Sequence, residues 1–176
     1  MKSKIAFLGD SLTFEGSWQD YFPTYEVANY GISGERSAQI VSRLEEVLEW
    51  KPNKIFLMMG INDLGNGISN KKILENFKIA IHRCREASQV KLIVQSILPT
   101  NENIFKSDSF RGVNILELNY RLKELCEEEK VDFIDLYPSF SNYAYQLIRD
   151  YTRDGLHLKE SGYSIWQKCL QSENYL

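Results

Sequence analysis

Short hydrophobic runs recur along the chain and are separated by longer segments in which apolar residues follow a helical period. Several of the runs are continuous rather than alternating, which is typical of strands buried on both faces of a parallel sheet. The pattern predicts five strands, at residues 4–9, 25–31, 54–60, 91–97 and 131–136.

The segments between these runs predict amphipathic helices. Residues 37–50 place apolar side chains on one face and acidic ones on the other, with Ser37 in position to cap the helix. The same period predicts helices at 70–88, at 113–129 and from about residue 160 to 170. Strands that alternate with helices indicate one α/β domain over residues 1–176, a three-layer α/β/α sandwich around a parallel sheet.

Composition excludes several classes of protein. With 176 residues and a net charge of −3, the chain is not expected to bind nucleic acid through an extended basic face. Its apolar runs are too short to cross a bilayer, and its start does not resemble a signal peptide, so we expect no membrane insertion and a cytoplasmic location. Cys84, Cys126 and Cys169 lie far apart without a CxxC pair, which argues against a disulfide framework or a zinc site. The sequence leaves a homodimer open.

Small and polar residues collect directly after the predicted strands, as "GDSLT" (9–13), "GISGERS" (31–37) and "GINDLGNG" (60–67). Ligands of parallel α/β proteins bind outside the carboxyl ends of the strands, so these segments predict a site at that edge. The polar stretch 101–112, with Phe105 and Phe110, is long for a strand-to-helix loop and is a candidate wall of the substrate site.

Ser11 follows the first predicted strand and allows two interpretations. It can simply cap a helix, or it can be a nucleophile at a helix start. A serine nucleophile needs a base, and of the two histidines His82 lies on the polar face of its helix. His157 lies in a glycine-containing loop three residues after Asp154, a spacing that can present a carboxylate to the imidazole. A surface turn and a metal ligand are the alternatives for His157 at this point.

Four blocks of the chain, in order, resemble those of the GDSL, or SGNH, hydrolases: "FLGDSLT", "NYGISGERS", "MGINDLG" and "DGLHLKESGY". The resemblance extends from about residue 4 to residue 163. It implies the SGNH hydrolase fold, with a flavodoxin-like five-stranded parallel sheet, and a serine hydrolase that acts on ester bonds without a cofactor or a metal.

The resemblance also implies a role for each matched residue. Ser11 would attack the acyl carbonyl, His157 would take the proton from Ser11, and Asp154 would orient His157. The oxyanion hole would consist of the backbone N–H groups of Ser11 and Gly34 and the side-chain amide of Asn62.

Further positions in and near these blocks need separate weighing. Gly34 is preferred to Gly31 as a donor because "ISGE" aligns with the family's common "ISGD", and Glu35 and the following arginine stand where Asp–Thr is frequent. Asp10 and Asp63 could each act as an acid or a base, but we expect each to support the site by accepting hydrogen bonds from loop N–H groups.

The leading hypothesis is a serine esterase or acylhydrolase that cleaves short-acyl carboxylic esters of small molecules, such as acetyl esters of carbohydrates, through an acyl-enzyme. A lysophospholipase or a thioesterase is the alternative within the family. A flavodoxin-like module that binds FMN or a phosphate at the same sheet edge is the alternative from another class. A carbohydrate-binding relative without a triad ranks below both, because all the catalytic residue types are present.

Overall fold

A computed structural model describes residues 2–87, 90–107, 114–172 and 175–176. Five strands in these residues form a parallel sheet: β1 Lys4–Gly9, β2 Glu26–Gly31, β3 Lys54–Leu57, β4 Lys91–Gln95 and β5 Asp132–Ile134. Their order in the sheet is β2-β1-β3-β4-β5, which is the flavodoxin-like order. The predicted α/β fold is therefore confirmed. β1 has the bounds of its predicted run, and the other four strands are shorter than theirs.

The strand that precedes Ser11 lies inside the sheet, between β2 and β3. Gly9 pairs with Gly31 on β2, and Leu8 pairs with Leu57 on β3. Because the strands are parallel, the segments that follow β1, β2 and β3 leave the sheet at the same edge. The edge strand β2, whose predicted run is not continuously apolar, is only partly buried.

Helices cover both faces of the sheet, as the alternation along β1 requires: Ala6 and Leu8 face one apolar cluster, and Ile5 and Phe7 face the other. The helices are α1 Ser11–Phe14, α2 Trp18–Tyr21, α3 Ser37–Ser42, α4 Leu44–Glu49, α5 Ile61–Gly65, α6 Asn70–Glu86, α7 Ile115–Glu129, α8 Tyr137–Phe140 and α9 Glu160–Ser172. The first cluster includes buried residues of α3, α4, α5, α6 and α7, and the second includes those of α1, α2, α8 and α9.

Aromatic side chains join β1, α2 and α9 on the second face. Trp18 stacks on Phe7 with ring centroids 4.0 Å apart, and its edge meets Trp166 at 5.0 Å and Tyr163 at 6.0 Å. Trp18 is fully buried and is therefore a core residue. Such ring pairs stabilise a core beyond the area they bury, and here they fix α9 under β1.

The predicted helix 37–50 is wrong at one position, because the structure divides it into α3 and α4 at Arg43. The Arg43 backbone leaves the helical region (φ −106°, ψ 12°), and its guanidinium reaches the Glu35 carboxylate and the Gly9 carbonyl. The predicted cap is also wrong. Arg36 occupies the N-cap position, and Ser37 lies inside α3 with its hydroxyl bound to Asp63.

The other three predicted helices agree with α6, α7 and α9 to within a few residues; residues 88 and 113, at the ends of two of them, lie outside the described residues. The periodicity does not predict the short helices α1, α2, α5 and α8. Asn119 lies buried on α7, where its amide accepts from the Ile97 N–H and donates to the Ile97 carbonyl, both at 2.8 Å. Within the described part of the chain, no helix combines the length and the apolar character needed to cross a membrane.

Candidate active site

Three side chains form a hydrogen-bonded chain at the carboxyl edge of the sheet. The Ser11 Oγ lies 3.1 Å from the His157 Nε2, and the His157 Nδ1 lies 2.7 Å from the Asp154 Oδ2. If the Nδ1–H of His157 donates to the carboxylate, its Nε2 is left as the acceptor for the Ser11 hydroxyl. The structure thus brings together the serine, histidine and aspartate that the sequence singled out.

Asp154 is held in place by more than the imidazole. Its Oδ1 accepts from the backbone N–H groups of Leu156 (3.0 Å) and His157 (2.7 Å). Partial burial raises the pKa of the Asp154 carboxyl, but the hydrogen bonds from the His157 side chain and from these two N–H groups outweigh it and hold the pKa below its usual value. Asp154 is therefore ionised at neutral pH and oriented toward His157.

The turn that carries this pair depends on Gly155. Its φ is +90°, a left-handed value that favours glycine. A side chain here would also collide with the next loop, since a Cβ would lie 2.6 Å from the Phe105 backbone nitrogen and 2.7 Å from the Asn101 carbonyl oxygen. The Asn101 N–H donates to the Gly155 carbonyl at 2.7 Å. Asn101 and Phe105 of the candidate wall thus lie against the histidine turn, while residues 108–112 lie outside the described residues.

Ser11 is the first residue of the one-turn helix α1, and Asp10 is its N-cap. The Asp10 Oδ1 accepts from the Leu12 N–H at 3.0 Å, while its Oδ2 is buried without a hydrogen-bond partner in the described structure. Burial raises the pKa of Asp10 to about 7, against the lowering effects of the Leu12 N–H and nearby His157. Asp10 contacts the backbone beside Ser11 and supports the helix start.

The structure after β2 distinguishes Gly31 from Gly34, the two glycines that the sequence suggests as oxyanion donors. The Gly31 N–H already donates to the Asn29 Oδ1 at 2.9 Å. Gly34 lies in a turn closed by the Glu35 N–H and the Ile32 carbonyl (3.3 Å), and its φ is +79°. A turn with a positive φ at its third residue requires glycine or asparagine there, so the turn fixes the direction of the Gly34 backbone.

Asn62 stands in the first turn of α5, directly after the segment that follows β3. Its Nδ2 donates to the Glu35 carbonyl at 2.9 Å. An amide nitrogen carries two hydrogens, so this bond orients Asn62 and uses only one of them. Glu35 is held in turn by Arg43 at 2.7 Å, and Arg43 also donates to the Gly9 carbonyl at 3.0 Å. The segments after all three strands are therefore linked.

Asp63 contacts α3 rather than the histidine. Its Oδ2 accepts from the Ser37 N–H at 2.7 Å, and its Oδ1 accepts from the Ser37 hydroxyl at 2.6 Å. The Asn76 amide donates to the same hydroxyl at 2.7 Å. This buried network fixes the start of α3 against α5 and α6. His82, the other histidine, lies on the surface and pairs with Glu129.

Comparison with known proteins gives the family. The sequence model of the GDSL-like Lipase/Acylhydrolase family matches residues 7–165. The chain belongs to this family. Membership confirms the resemblance of the four blocks and supports a hydrolase that acts on ester bonds. The single-domain organisation over residues 1–176 stays a prediction.

Curated proteins of two different activities are similar in sequence to this GDSL-family chain. N-acylneuraminate cytidylyltransferase of Streptococcus agalactiae is 27% identical over 172 residues, which are 96% of this chain and only 38% of that protein. Platelet-activating factor acetylhydrolase IB subunit alpha1 of Homo sapiens is 23% identical over 176 residues, 96% of this chain and 74% of that protein. The chain thus spans well under half the length of its streptococcal relatives.

Solved structures share the fold over nearly the whole chain. A structure from Streptococcus pneumonia that is named for platelet activating factor has a TM-score of 0.89 at 29% identity, covering 98% of this chain and 84% of that one. The acetyl xylan esterase AlAXEase has a TM-score of 0.81 at 23% identity, covering 97% and 98% of the two chains.

Some side chains that hold the site were not assigned a role from the sequence. Asn76 left a usable signal, because it is a polar residue on the apolar face of its helix, between Ile73 and Phe77. Thr152 left none: its hydroxyl accepts from the Gly155 N–H at 2.8 Å and donates to the His157 carbonyl at 2.7 Å, contacts that exist only once the turn has folded.

The raised pKa of Asp10 predicts how the stability depends on pH. Between the ordinary pKa of 3.8 and the raised pKa of about 7, the folded state binds a proton that the unfolded state has lost, so the contribution of Asp10 to stability decreases as the pH rises over this interval and levels off above about pH 7. Asp10→Asn removes this titration. We expect the free energy of unfolding of the variant, relative to wild type, to increase between about pH 5 and about pH 8.

Urea unfolding at several pH values measures this difference. Asp20→Asn, a matched change on the exposed surface of α2, should give a difference that stays constant with pH. The same constancy for Asp10→Asn would show that Asp10 is charged across this range.

Proposed function

We propose that this chain is a serine esterase that hydrolyses carboxylic esters through an acyl-enzyme intermediate. The observation that carries the proposal is the hydrogen-bonded chain from the Ser11 Oγ through His157 to Asp154. A nucleophile, a base and an orienting carboxylate in this order are the parts that acyl transfer by serine requires.

In the proposed mechanism, the Ser11 Oγ attacks the acyl carbonyl carbon while its proton passes to the His157 Nε2. The tetrahedral intermediate collapses, the bond to the alcohol breaks, and His157 returns the proton to the leaving oxygen. Water then attacks the acyl-enzyme with His157 as base, which releases the acid and restores Ser11. Asp154 stays ionised, keeps the Nδ1–H of His157 in place and stabilises the imidazolium.

The developing oxyanion would be bound by the backbone N–H groups of Ser11 and Gly34 and by the Asn62 amide. Two observations support this set. The Gly31 N–H already has a partner, and the contact between Asn62 and Glu35 leaves one amide hydrogen for the substrate. Donors fixed in advance are effective because they need no reorganisation when the charge forms.

For the substrate we propose a small molecule with a short acyl group, such as an acetyl ester of a carbohydrate. The names of two relatives support it: platelet-activating factor acetylhydrolase among the curated proteins and acetyl xylan esterase among the structures. This support is by association, because substrates vary within one fold. Lysophospholipid or thioester cleavage is the alternative within the family.

A flavodoxin-like module that binds FMN or a phosphate receives less support. An anion site needs N–H or cationic donors, whereas the Ser11 hydroxyl is engaged with a histidine nitrogen and the neighbouring Asp10 is a buried carboxyl. A colourless purified protein that gains no thermal stability from FMN would dismiss this alternative.

The first prediction for the reaction is that Ser11→Ala abolishes hydrolysis of p-nitrophenyl acetate. We expect kcat to decrease by at least about 10³-fold, because the proposed acyl-enzyme forms on the Ser11 hydroxyl that the variant lacks. A fluorophosphonate should label wild type and leave the variant unlabelled. Ser42→Ala, at the end of α3, is the matched control and should retain wild-type activity and labelling. Equal activity of Ser11→Ala and wild type would refute the proposal.

The second prediction concerns Asn62. Asn62→Ala removes one oxyanion donor, so kcat should decrease by about 10²–10³-fold with a smaller change in KM. Asn53→Ala is a suitable control, since it removes the two hydrogen bonds that the Asn53 Oδ1 accepts but lies at the opposite edge of the sheet. If the two variants have similar kcat values, Asn62 is not an oxyanion donor.

The third prediction concerns the acyl chain. In a series of p-nitrophenyl esters, kcat/KM should be highest for acetate and decrease with chain length, and acetate should be released from an acetylated xylo-oligosaccharide faster than fatty acid from lysophosphatidylcholine. A maximum at long chains would contradict the short-acyl proposal and favour a lysophospholipase.

A further inference from the structure

The helix that carries Ser11 has only four residues, too few to be stable through its own hydrogen bonds. Its carbonyls need partners from elsewhere, because the last four carbonyls of a helix find no partner within it. The Trp18 Nε1 donates to the Thr13 carbonyl at 2.7 Å, and the Asn29 Nδ2 donates to the Phe14 carbonyl at 3.0 Å. Side chains from α2 and β2 therefore supply hydrogen bonds to two carbonyls of α1 that the helix itself leaves short of partners.

The Leu12 carbonyl has its hydrogen-bond partner near the other end of the chain. The Tyr163 hydroxyl donates to it at 2.8 Å, across 151 positions in the sequence, and both groups are buried. The Gly16 N–H, which a longer helix would offer to Leu12, instead bonds the Thr13 carbonyl at 3.3 Å. Both backbone polar groups of Leu12 are thus held by side chains, since Asp10 accepts from its N–H and Tyr163 donates to its carbonyl.

Tyr163 also belongs to the element that follows the histidine turn. It lies in the first turn of α9, six residues after His157, and its N–H donates to the Lys159 carbonyl at 3.1 Å. Its ring stacks on Trp166 and meets the edge of Trp18, so the hydroxyl has little freedom to move. One short, rigid path therefore joins the base to the backbone beside the nucleophile.

We propose that Tyr163 is a positioning residue for the nucleophile: its hydroxyl holds the Ser11–Leu12 backbone at the correct distance from His157. The proposal rests on Ser11 being the nucleophile. Tyr163 touches neither substrate nor the reacting atoms, and it acts by fixing the turn that carries both the Ser11 Oγ and the Ser11 N–H. Without this bond, the Leu12 carbonyl would be buried without a partner, and α1 would shift to find one.

The test is Tyr163→Phe, which removes one oxygen and leaves the ring in place. We expect kcat for p-nitrophenyl acetate to decrease about 10- to 100-fold while KM stays close to the wild-type value, because misplacing a reacting group slows the chemical step. Hydrogen–deuterium exchange should become faster in the peptide that contains residues 10–16.

Tyr137→Phe is the matched control. The Tyr137 hydroxyl also donates to a backbone carbonyl, that of Tyr145, at 2.8 Å, and Tyr137 is about as buried as Tyr163. This variant should lose a comparable amount of stability in urea unfolding but keep the wild-type kcat and the wild-type exchange rate in residues 10–16. Equal loss of kcat in the two variants, or unchanged exchange in Tyr163→Phe, would overturn the proposal.

Failure of the proposed function gives a different result. If Ser11→Ala retains full hydrolysis, Ser11 is not the nucleophile, and the exchange of residues 10–16 alone decides whether Tyr163 orders α1. If Ser11→Ala is inactive but Tyr163→Phe has the wild-type kcat, the esterase proposal stands and the positioning role is refuted.

Discussion

The hydrogen bond between Ser11 and His157 joins two residues that are 146 positions apart, so the site depends on how the two ends of the chain are brought together. Two features bring Ser11 and His157 together. The first is the position of β1 inside the sheet, which places Ser11 between the segments that follow β2 and β3. The second is the packing of α9 beneath β1. A serine and a histidine on separate elements can stay within hydrogen-bond distance only if those elements cannot slide.

Rigid contacts of two kinds prevent such sliding. Aromatic rings of β1, α2 and α9 form a close-packed cluster in which Trp18 lies between Phe7 and Trp166. Polar contacts then fix the details that apolar packing leaves free, since dispersion forces have no preferred direction. The Arg43 guanidinium illustrates this second kind: it holds Glu35 and the Gly9 carbonyl together and so couples the first two segments of the sheet edge.

Most of the fold could be predicted because its signals are local. Apolar runs mark the strands, and four blocks carry the family resemblance, three of them at strand ends and the fourth in the loop that leads into α9. The break at Arg43 could not be predicted, since the apolar period continues across it from Ile40 through Leu44 to Val47 and the partners of Arg43 come from other elements. The contact between Asn101 and Gly155 could not be predicted either, because it joins two backbones that are distant in the sequence and leaves no side-chain pattern.

Asp10 is a side chain whose burial opposes folding but whose position is consistent with the proposed chemistry. Burying a carboxyl with one oxygen unpartnered opposes folding, and an apolar residue would avoid this cost. An N-cap side chain, however, bonds the second or third N–H of its helix and not the first. In α1 the cap binds the Leu12 N–H, the second of the helix, so the first N–H, that of Ser11, is not consumed. A nucleophile that is also an oxyanion donor needs this division, because its own N–H must remain for the substrate.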